Sequence, residues 1–210
     1  MSETSQSSSF GGDRFPRAVK VCHEVLASRI AEGDVVVDAT AGNGHDTLAL
    51  AKLVGDSGRV VAIDIQQAAV DATRVRCAEH GVDGRVELHC GSHDGMAEIL
   101  DGREVSAVVF NLGYLPGGDK EVITHSGSTM VALEAALAAL RVGGVLVVVC
   151  YPGHEGGREE AAVVEQWAAD LDELEYLAVS YRMMNQRKRP PFVVAVEKRA
   201  TDTRSGAGRC

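Results

Sequence analysis

The sequence predicts one α/β domain built on a seven-stranded, mostly parallel sheet with helices on both faces. Short apolar segments alternate with helical patterns along most of the chain, which is typical of parallel strands joined by right-handed crossovers. One apolar segment ends in Asp38 and leads into a turn that contains Gly42 and Gly44. The last two apolar segments have no helical pattern between them, so we expect an antiparallel hairpin at one edge of the sheet.

Each element follows from hydrophobic periodicity and from the turn residues around it. Strands are predicted over residues 34–39, 59–64, 86–90, 105–110, 144–150, 174–182 and 192–198. Helices are predicted over residues 15–30, 45–53, 67–80, 96–100, 128–140 and 159–171. Ser128 is expected to be the N-cap of the fifth helix, after a long polar loop over residues 111–127. The fifth strand is nearly all apolar, which predicts a central place in the sheet.

Length and composition suit a single domain, which we place at residues 15–199 between flexible tails at 1–14 and 200–210. No apolar stretch approaches the roughly 20 residues that cross a bilayer, and the serine-rich start lacks the apolar segment of a signal peptide. The five cysteines are an odd number and show no C-x-x-C spacing. We therefore expect reduced thiols in the cytoplasm, no membrane partner and no metal site.

The formal net charge of −9 disfavours nucleic acid as a partner on average, but the charge is not uniform. A basic cluster near the end of the chain consists of Arg182, Arg187, Lys188 and Arg189. Such side chains contact RNA phosphates without reading the base sequence. We interpret the cluster as an RNA-binding surface, with a solvated hairpin tip as the alternative.

The glycine turn after the first strand predicts a nucleoside site. Gly42 and Gly44 let the backbone approach a ligand, and the helix that follows offers free N–H groups. Thr47 stands where a dinucleotide fingerprint has its third glycine, which disfavours a dehydrogenase. With Asp38 before the turn, the pattern resembles motif I of class I S-adenosylmethionine-dependent methyltransferases. Asp64, at the end of the second strand, is expected to accept ribose hydroxyl groups or, alternatively, to cap a helix.

Ligands of open α/β sheets lie beyond the carboxyl ends of the strands, and this rule gives the other candidate contacts. Gln66 follows Asp64 and is expected near the ribose, while Ser92 and His93 follow the third strand and are expected at the adenine. Asn43 and His45 are expected at the methionine portion of the cofactor. The alternatives are a turn that caps a helix for Ser92 and His93, and a surface position for His45.

The segment after the fourth strand predicts the reaction. Asn111 and Tyr114 resemble the ends of the Asn-Pro-Pro-Tyr motif with which amino-methylating enzymes hold a nitrogen nucleophile, although Leu112 and Gly113 replace both prolines. We expect Asn111 to orient an amine and Tyr114 to pack on its ring, whereas Asn111 could alternatively only close a turn. The proton is expected to go to one of two candidate acceptors, Asp119 or His154.

Six segments together resemble the bacterial family labelled "putative rRNA methylase", and the resemblance extends over residues 15–199. They are residues 38–47, 64–66, 91–94, 111–120, 151–154 and 184–186. The resemblance implies a Rossmann-like class I methyltransferase fold, S-adenosylmethionine as cofactor, and contacts to it from the candidate residues named above. Members of the family are associated with tRNA, where they methylate the amine of 5-aminomethyl-2-thiouridine at the wobble position to give 5-methylaminomethyl-2-thiouridine.

Three other functions stay open at this point. The substrate could be ribosomal RNA or a small molecule, or the chain could be a non-catalytic S-adenosylmethionine-binding protein. A homodimer is one open state of assembly.

Overall fold

The computed structural model describes residues 15–113, 126–153 and 156–200. The two predicted tails lie outside the described residues, apart from residue 200, so the predicted domain limits stay a prediction. The helices are α1 (Ala18–Ala27), α2 (His45–Leu53), α3 (Gln67–Glu79), α4 (Met96–Leu100), α5 (Ser126–Ala139) and α6 (Gly157–Ala169). The strands are β1 (Val35–Asp38), β2 (Arg59–Asp64), β3 (Val86–Cys90), β4 (Val105–Leu112), β5 (Leu140–Cys150), β6 (Tyr176–Tyr181) and β7 (Phe192–Lys198).

The strands of the described part form one sheet of seven in the order β3-β2-β1-β4-β5-β7-β6. Strands β1 to β5 pair in parallel, whereas β7 is antiparallel to both β5 and β6. The expected mostly parallel sheet with an antiparallel hairpin at one edge is therefore confirmed. Strand order reverses between β1 and β4, which opens a crevice at the carboxyl ends of these strands.

Two apolar layers cover the sheet because neighbouring residues of a strand point to opposite faces. Val37 packs with Phe110, Leu133 and residues of α4, α5 and α6 on one face. Val36 packs with residues of α1, α2 and α3 on the other. Strand β5 contributes to both layers and is buried from Val145 to Cys150, as its apolar sequence predicts. The prediction of helices on both faces is confirmed.

Two predicted boundaries near the candidate site are wrong, namely the end of β4 and the start of α5. Strand β4 continues to Leu112, because Asn111 pairs with Val149 and Leu112 pairs with Cys150. Asn111 therefore belongs to a strand and not to the loop. Helix α5 begins at Ser126, so Ser128 lies inside the helix and is not its N-cap.

Among the described residues, no helix is both long enough and apolar enough to cross a membrane. In the same part of the chain, no group of three or more His, Cys, Asp or Glu side chains could hold a metal ion.

Candidate active site

Helix α3 packs against the turn after β1 and forms hydrogen bonds with it. Gly42 and Gly44 have positive φ angles of 54° and 76°, which L side chains rarely adopt. A Cβ atom on Gly44 would lie 2.9 Å from the Cα atom of Thr73, so this helix approaches too closely for a side chain. The Thr73 hydroxyl donates to the Gly42 carbonyl at 3.2 Å, and Arg76 Nε donates to the Asn43 carbonyl at 2.5 Å. The turn is therefore rigid before any ligand binds.

Asp38 shapes this turn from a fully buried position. Its carboxylate accepts hydrogen bonds from the Thr47 hydroxyl at 2.6 Å and from the Thr40 amide at 3.2 Å. Burial raises the pKa of Asp38 to about 7, and the nearby Asp46 carboxylate adds to the increase. Because Asp38 has no exposed surface, the structure places it behind the predicted cofactor site, where its contacts are with the turn.

Asp64 ends β2 at the edge of the same turn and is partly exposed. One carboxylate oxygen accepts from the Gly42 amide at 2.8 Å and the other from the Gln66 amide at 2.9 Å. Each oxygen has two lone pairs, so both keep capacity for a ribose hydroxyl. The N-cap position of α3 is occupied by Gln66, not by Asp64. Ile65, which sequence reasoning passed over, is 57% exposed beside this carboxylate.

His93 presents a buried and unsatisfied nitrogen after β3. Its side chain is buried, and Nε2 has no hydrogen-bond partner among the described residues. The ring packs edge-on against Phe110 with 5.8 Å between centroids, and burial lowers the pKa of His93. A neutral imidazole with a free nitrogen suits a neutral, hydrogen-bonding ligand such as adenine. Ser92, half-buried, precedes it and makes no side-chain capping bond.

Asn43 and His45, the candidates for the methionine portion, flank Gly44. Asn43 is half-buried in the turn, and His45 is the exposed first residue of α2. Both lie at the helix N-terminus, where unpaired N–H groups favour a carboxylate.

The Asn111 side chain is held at both ends of its amide group. Its Nδ2 donates to Asp46 Oδ2, and its Oδ1 accepts from the Tyr151 hydroxyl at 3.2 Å. The backbone N–H of Asn111 donates to the Thr40 hydroxyl at 2.7 Å. His23 Nε2 lies 2.5 Å from the other Asp46 oxygen, which raises the pKa of His23. Asn111 therefore lies within a network from four separate segments, and one lone pair of Oδ1 has no partner in the part of the chain that the structure describes.

The side-chain partners of Asn111 were not among the residues predicted from the sequence. Asp46 and Tyr151 both lie in segments that carry the family resemblance, and that resemblance is the one signal that could have drawn attention to them. His23 lies on α1, outside those segments. The other predicted catalytic residues, Tyr114, Asp119 and His154, lie outside the described residues.

The predicted RNA-binding residues lie around the turn between β6 and β7. This turn lies at the carboxyl ends of the parallel strands, as the candidate site does, because Phe192 at the start of β7 pairs with Cys150 at the end of β5. Arg187, Lys188 and Arg189 are exposed there. Arg182 differs, since it pairs with Glu165 and its guanidinium stacks 4.4 Å from the centre of the Phe192 ring.

The residues present fit S-adenosylmethionine. The tight glycine turn lets a ligand approach the backbone, and the Asp64 carboxylate is partly exposed beside it. The buried His93 nitrogen finds no partner within residues 15–113, 126–153 and 156–200. These three features line the carboxyl ends of β1, β2 and β3, where a nucleoside binds in folds of this kind.

Comparison with known proteins supports a site for S-adenosylmethionine. The family model "Putative rRNA methylase" matches residues 60–197. A chloroplastic protein of Arabidopsis thaliana, "tRNA (mnm(5)s(2)U34)-methyltransferase", is 41% identical over 187 residues, which cover 84% of this chain and 68% of the relative.

Solved structures agree as well. A putative rRNA methylase from Clostridium thermocellum is 37% identical with a TM-score of 0.86, covering 88% of this chain and 99% of that one. A methyltransferase from Streptococcus mutans, solved in complex with SAH, is 31% identical with a TM-score of 0.80 over the same shares of the two chains. The predicted class I methyltransferase fold and its S-adenosylmethionine cofactor are confirmed. The chain belongs to the "Putative rRNA methylase" family and is an S-adenosylmethionine-dependent methyltransferase.

Proposed function

We propose that this protein methylates the amine of 5-aminomethyl-2-thiouridine at the wobble position of tRNA, which gives 5-methylaminomethyl-2-thiouridine. The observation that carries the proposal is the Asn111 amide, held by Asp46 and Tyr151 with acceptor capacity left on Oδ1. A side-chain oxygen at this place suits an N–H donor as substrate. The relative from Arabidopsis thaliana, named as a tRNA wobble methyltransferase, supports the choice of nucleoside.

In this mechanism, the protein supplies orientation more than chemical activation. S-adenosylmethionine brings a methyl group that is already activated on a sulfonium centre. Asn111 Oδ1 accepts one N–H bond of the amine and directs the nitrogen lone pair away from the amide. An alkylamine resembles the lysine side chain, with a pKa of about 10.4, so it must lose a proton before it can act as a nucleophile. Holding the reactants in line then provides most of the acceleration.

The remaining predicted roles belong to this proposal. Tyr114 would pack on the uracil ring, and Asp119 or His154 would receive the proton. For the cofactor, Asp64 and Gln66 would hold the ribose, Ser92 and His93 the adenine, and Asn43 with His45 the methionine portion.

The basic turn would position the tRNA. Three exposed basic residues lie at the carboxyl ends of the parallel strands, where Asn111 also lies: Arg187, Lys188 and Arg189. Phosphates bound there would lie near the site. Arg182, which is engaged by Glu165 and Phe192, would act mainly by holding the base of the turn. A cytoplasmic location goes with this substrate.

Nucleoside mass spectrometry of tRNA from cells with and without the gene tests the proposal. We expect the 5-methylaminomethyl nucleoside to disappear and its 5-aminomethyl precursor to accumulate when the gene is absent. Unchanged nucleosides, in a host that makes the precursor, would refute the assignment to this nucleoside.

Transfer of labelled methyl groups by the purified protein separates the alternatives. Separate reactions contain tRNA from cells that lack the gene, ribosomes, or small metabolites. Label in tRNA supports the proposal, whereas label only in ribosomal RNA or a metabolite would assign the enzyme to that substrate. Cofactor binding without transfer to any of them would favour a non-catalytic protein.

A further inference from the structure

We propose that Asp46 and Tyr151 are positioning residues that fix the orientation of the Asn111 amide, and that His23 holds Asp46 in place for this purpose. The inference rests on the proposed function only in taking an amine as the substrate.

The orientation of this amide decides what it does to an amine. Asn111 Oδ1 accepts an N–H bond and leaves the nitrogen lone pair free to attack the methyl group. If the amide were rotated by 180°, Nδ2 would donate to that lone pair and compete with the attack. The two orientations have nearly the same shape, so packing alone does not choose between them. The choice must come from hydrogen-bond partners.

Asp46 selects the productive orientation at one end. An ionised carboxylate only accepts hydrogen bonds, so it pairs with Nδ2 and not with Oδ1. The Asp46 side chain is 14% exposed and lies in the first turn of α2, where the helix dipole favours a negative charge. His23 Nε2, 2.5 Å away on α1, binds the second oxygen and keeps the carboxylate facing Asn111.

Tyr151 holds the amide at the other end in the orientation that Asp46 selects. Burial and the nearby Asp46 carboxylate raise the pKa of Tyr151, so its hydroxyl stays protonated and donates to Asn111 Oδ1. Rotation of the amide would place Nδ2 against this donor and Oδ1 against the Asp46 carboxylate. The bond to Asp46 would be lost and its carboxylate would face an oxygen, while the Tyr151 hydroxyl would have to reorient and accept from Nδ2. Among the described residues, one lone pair of Oδ1 is then left to accept from an amine.

Steady-state kinetics of four variants on tRNA from cells that lack the gene test this inference. Tyr151→Phe removes the donor but keeps the ring, and we expect kcat to fall about three- to tenfold. Asp46→Ala should lower kcat further, and the isosteric Asp46→Asn should restore part of it. The apparent KM for tRNA and the affinity for S-adenosylmethionine should change by less than about twofold, because neither residue is proposed to touch them directly. Tyr181→Phe, which removes another tyrosine hydrogen bond, to the Pro16 carbonyl at 2.9 Å, is the matched control and should keep the wild-type kcat.

A double-mutant cycle separates positioning from a general structural role. Asn111→Ala alone should lower kcat about a hundredfold. If Tyr151 acts through Asn111, adding Tyr151→Phe to Asn111→Ala should cost little more. A wild-type kcat in Tyr151→Phe, or an effect that multiplies fully in the double variant, would overturn the inference.

A nuclear magnetic resonance measurement tests the hydrogen bonds of the Asn111 amide without measuring enzyme turnover. The Asn111 side-chain amide signal is assigned through its loss in Asn111→Ala. Its protons should exchange slowly with solvent in the wild type and faster in Tyr151→Phe and Asp46→Ala. Equal exchange in all three proteins would contradict the inference. If the wild type fails to methylate any tRNA, the proposed function fails and this exchange measurement still decides the orientation.

Discussion

The hydroxyl of Thr47 donates a hydrogen bond of 2.6 Å to the carboxylate of Asp38, and both side chains are fully buried. This contact explains why a threonine stands where a dinucleotide-binding turn has its third glycine. A glycine there would leave one oxygen of a buried carboxylate without its partner, at a cost of about 1–3 kcal/mol. The departure from the dinucleotide pattern is therefore a consequence of the acid at the end of β1.

Replacing Thr47 by valine should destabilise the fold, because valine keeps the shape and removes the donor. We expect Thr47→Val to lower the free energy of unfolding by about 1–3 kcal/mol. Denaturant unfolding followed by circular dichroism measures the change. Thr47→Ser, which keeps the hydroxyl, is the control and should lose less. Equal stability of Thr47→Val and the wild type would show that the bond contributes nothing.

The raised pKa of Asp38 predicts a specific pH dependence of stability. The pKa of Asp38 is about 7 in the folded protein, whereas the unfolded chain releases this proton near the ordinary aspartate pKa of 3.8. The folded state therefore binds more protons between these values, and the contribution of Asp38 to stability falls as the pH rises from about 4 to about 7.

Comparison with Asp38→Asn isolates this contribution, because the variant cannot titrate at that position. The free energy of unfolding of the wild type minus that of the variant should decrease over this pH range. Unfolding curves at several pH values measure the difference, and a difference that stays constant would show that the pKa of Asp38 is not raised.

Gly44→Ala should damage both the turn and the cofactor site. The residue has a φ angle of 76°, and a Cβ atom would meet the backbone of Thr73 at 2.9 Å. We expect a loss of about 1–3 kcal/mol in the free energy of unfolding, with weaker S-adenosylmethionine binding. Gly84→Ala is the matched control, since a Cβ atom there meets nothing within 4 Å. Similar behaviour of the two variants would contradict the close approach of α3.

Asp64→Ala should weaken S-adenosylmethionine binding more than it affects the fold. The carboxylate accepts two backbone amides and is proposed to accept the ribose as well. The loss of one hydrogen bond to a charged group corresponds to about 10- to 100-fold in affinity. Isothermal titration calorimetry measures the affinity, and Asp64→Asn should show a smaller loss because its shape is kept. An unchanged dissociation constant in Asp64→Ala would remove this residue from the cofactor site.

Charge reversal in the basic turn should impair tRNA binding and spare the chemistry. The double variant Arg187→Glu with Arg189→Glu should raise the apparent KM for tRNA and flatten its salt dependence, because phosphate contacts release counterions. The value of kcat and the affinity for S-adenosylmethionine should stay close to those of the wild type.

The matched control for the basic turn is Lys52→Glu with Arg59→Glu. Both residues are exposed, at the end of α2 and the start of β2. They therefore lie at the amino ends of the parallel strands, opposite the basic turn. An equal increase in KM in this control would indicate a general charge effect, and no increase in the first variant would indicate another docking face.

Much of the fold could be predicted because its signals are local. Apolar runs and turn residues gave β2, β3 and β7, and the helices α2 and α4, with the bounds that the structure has. The two errors that bear on the site, at Asn111 and Ser128, have different causes. Whether Asn111 belongs to a strand depends on its pairing with Val149 of β5, which hydrophobic periodicity around residue 111 does not encode. Helix α5 begins at Ser126, two residues before the predicted N-cap, in a short stretch of serine and glycine that carries no apolar periodicity.

The sequence by itself determined the order of the strands and helices along the chain, the glycine turn and the acid at the end of β2. Side-chain roles were decided only by the tertiary structure. Packing of α2 against β1 buries Asp38 against Thr47, so this acid supports the turn. The partners of Asn111, which are His23, Asp46 and Tyr151, come from segments far apart in the chain. A hydrogen bond between such segments depends on where packing brings two atoms within about 3 Å, and no local pattern specifies that distance.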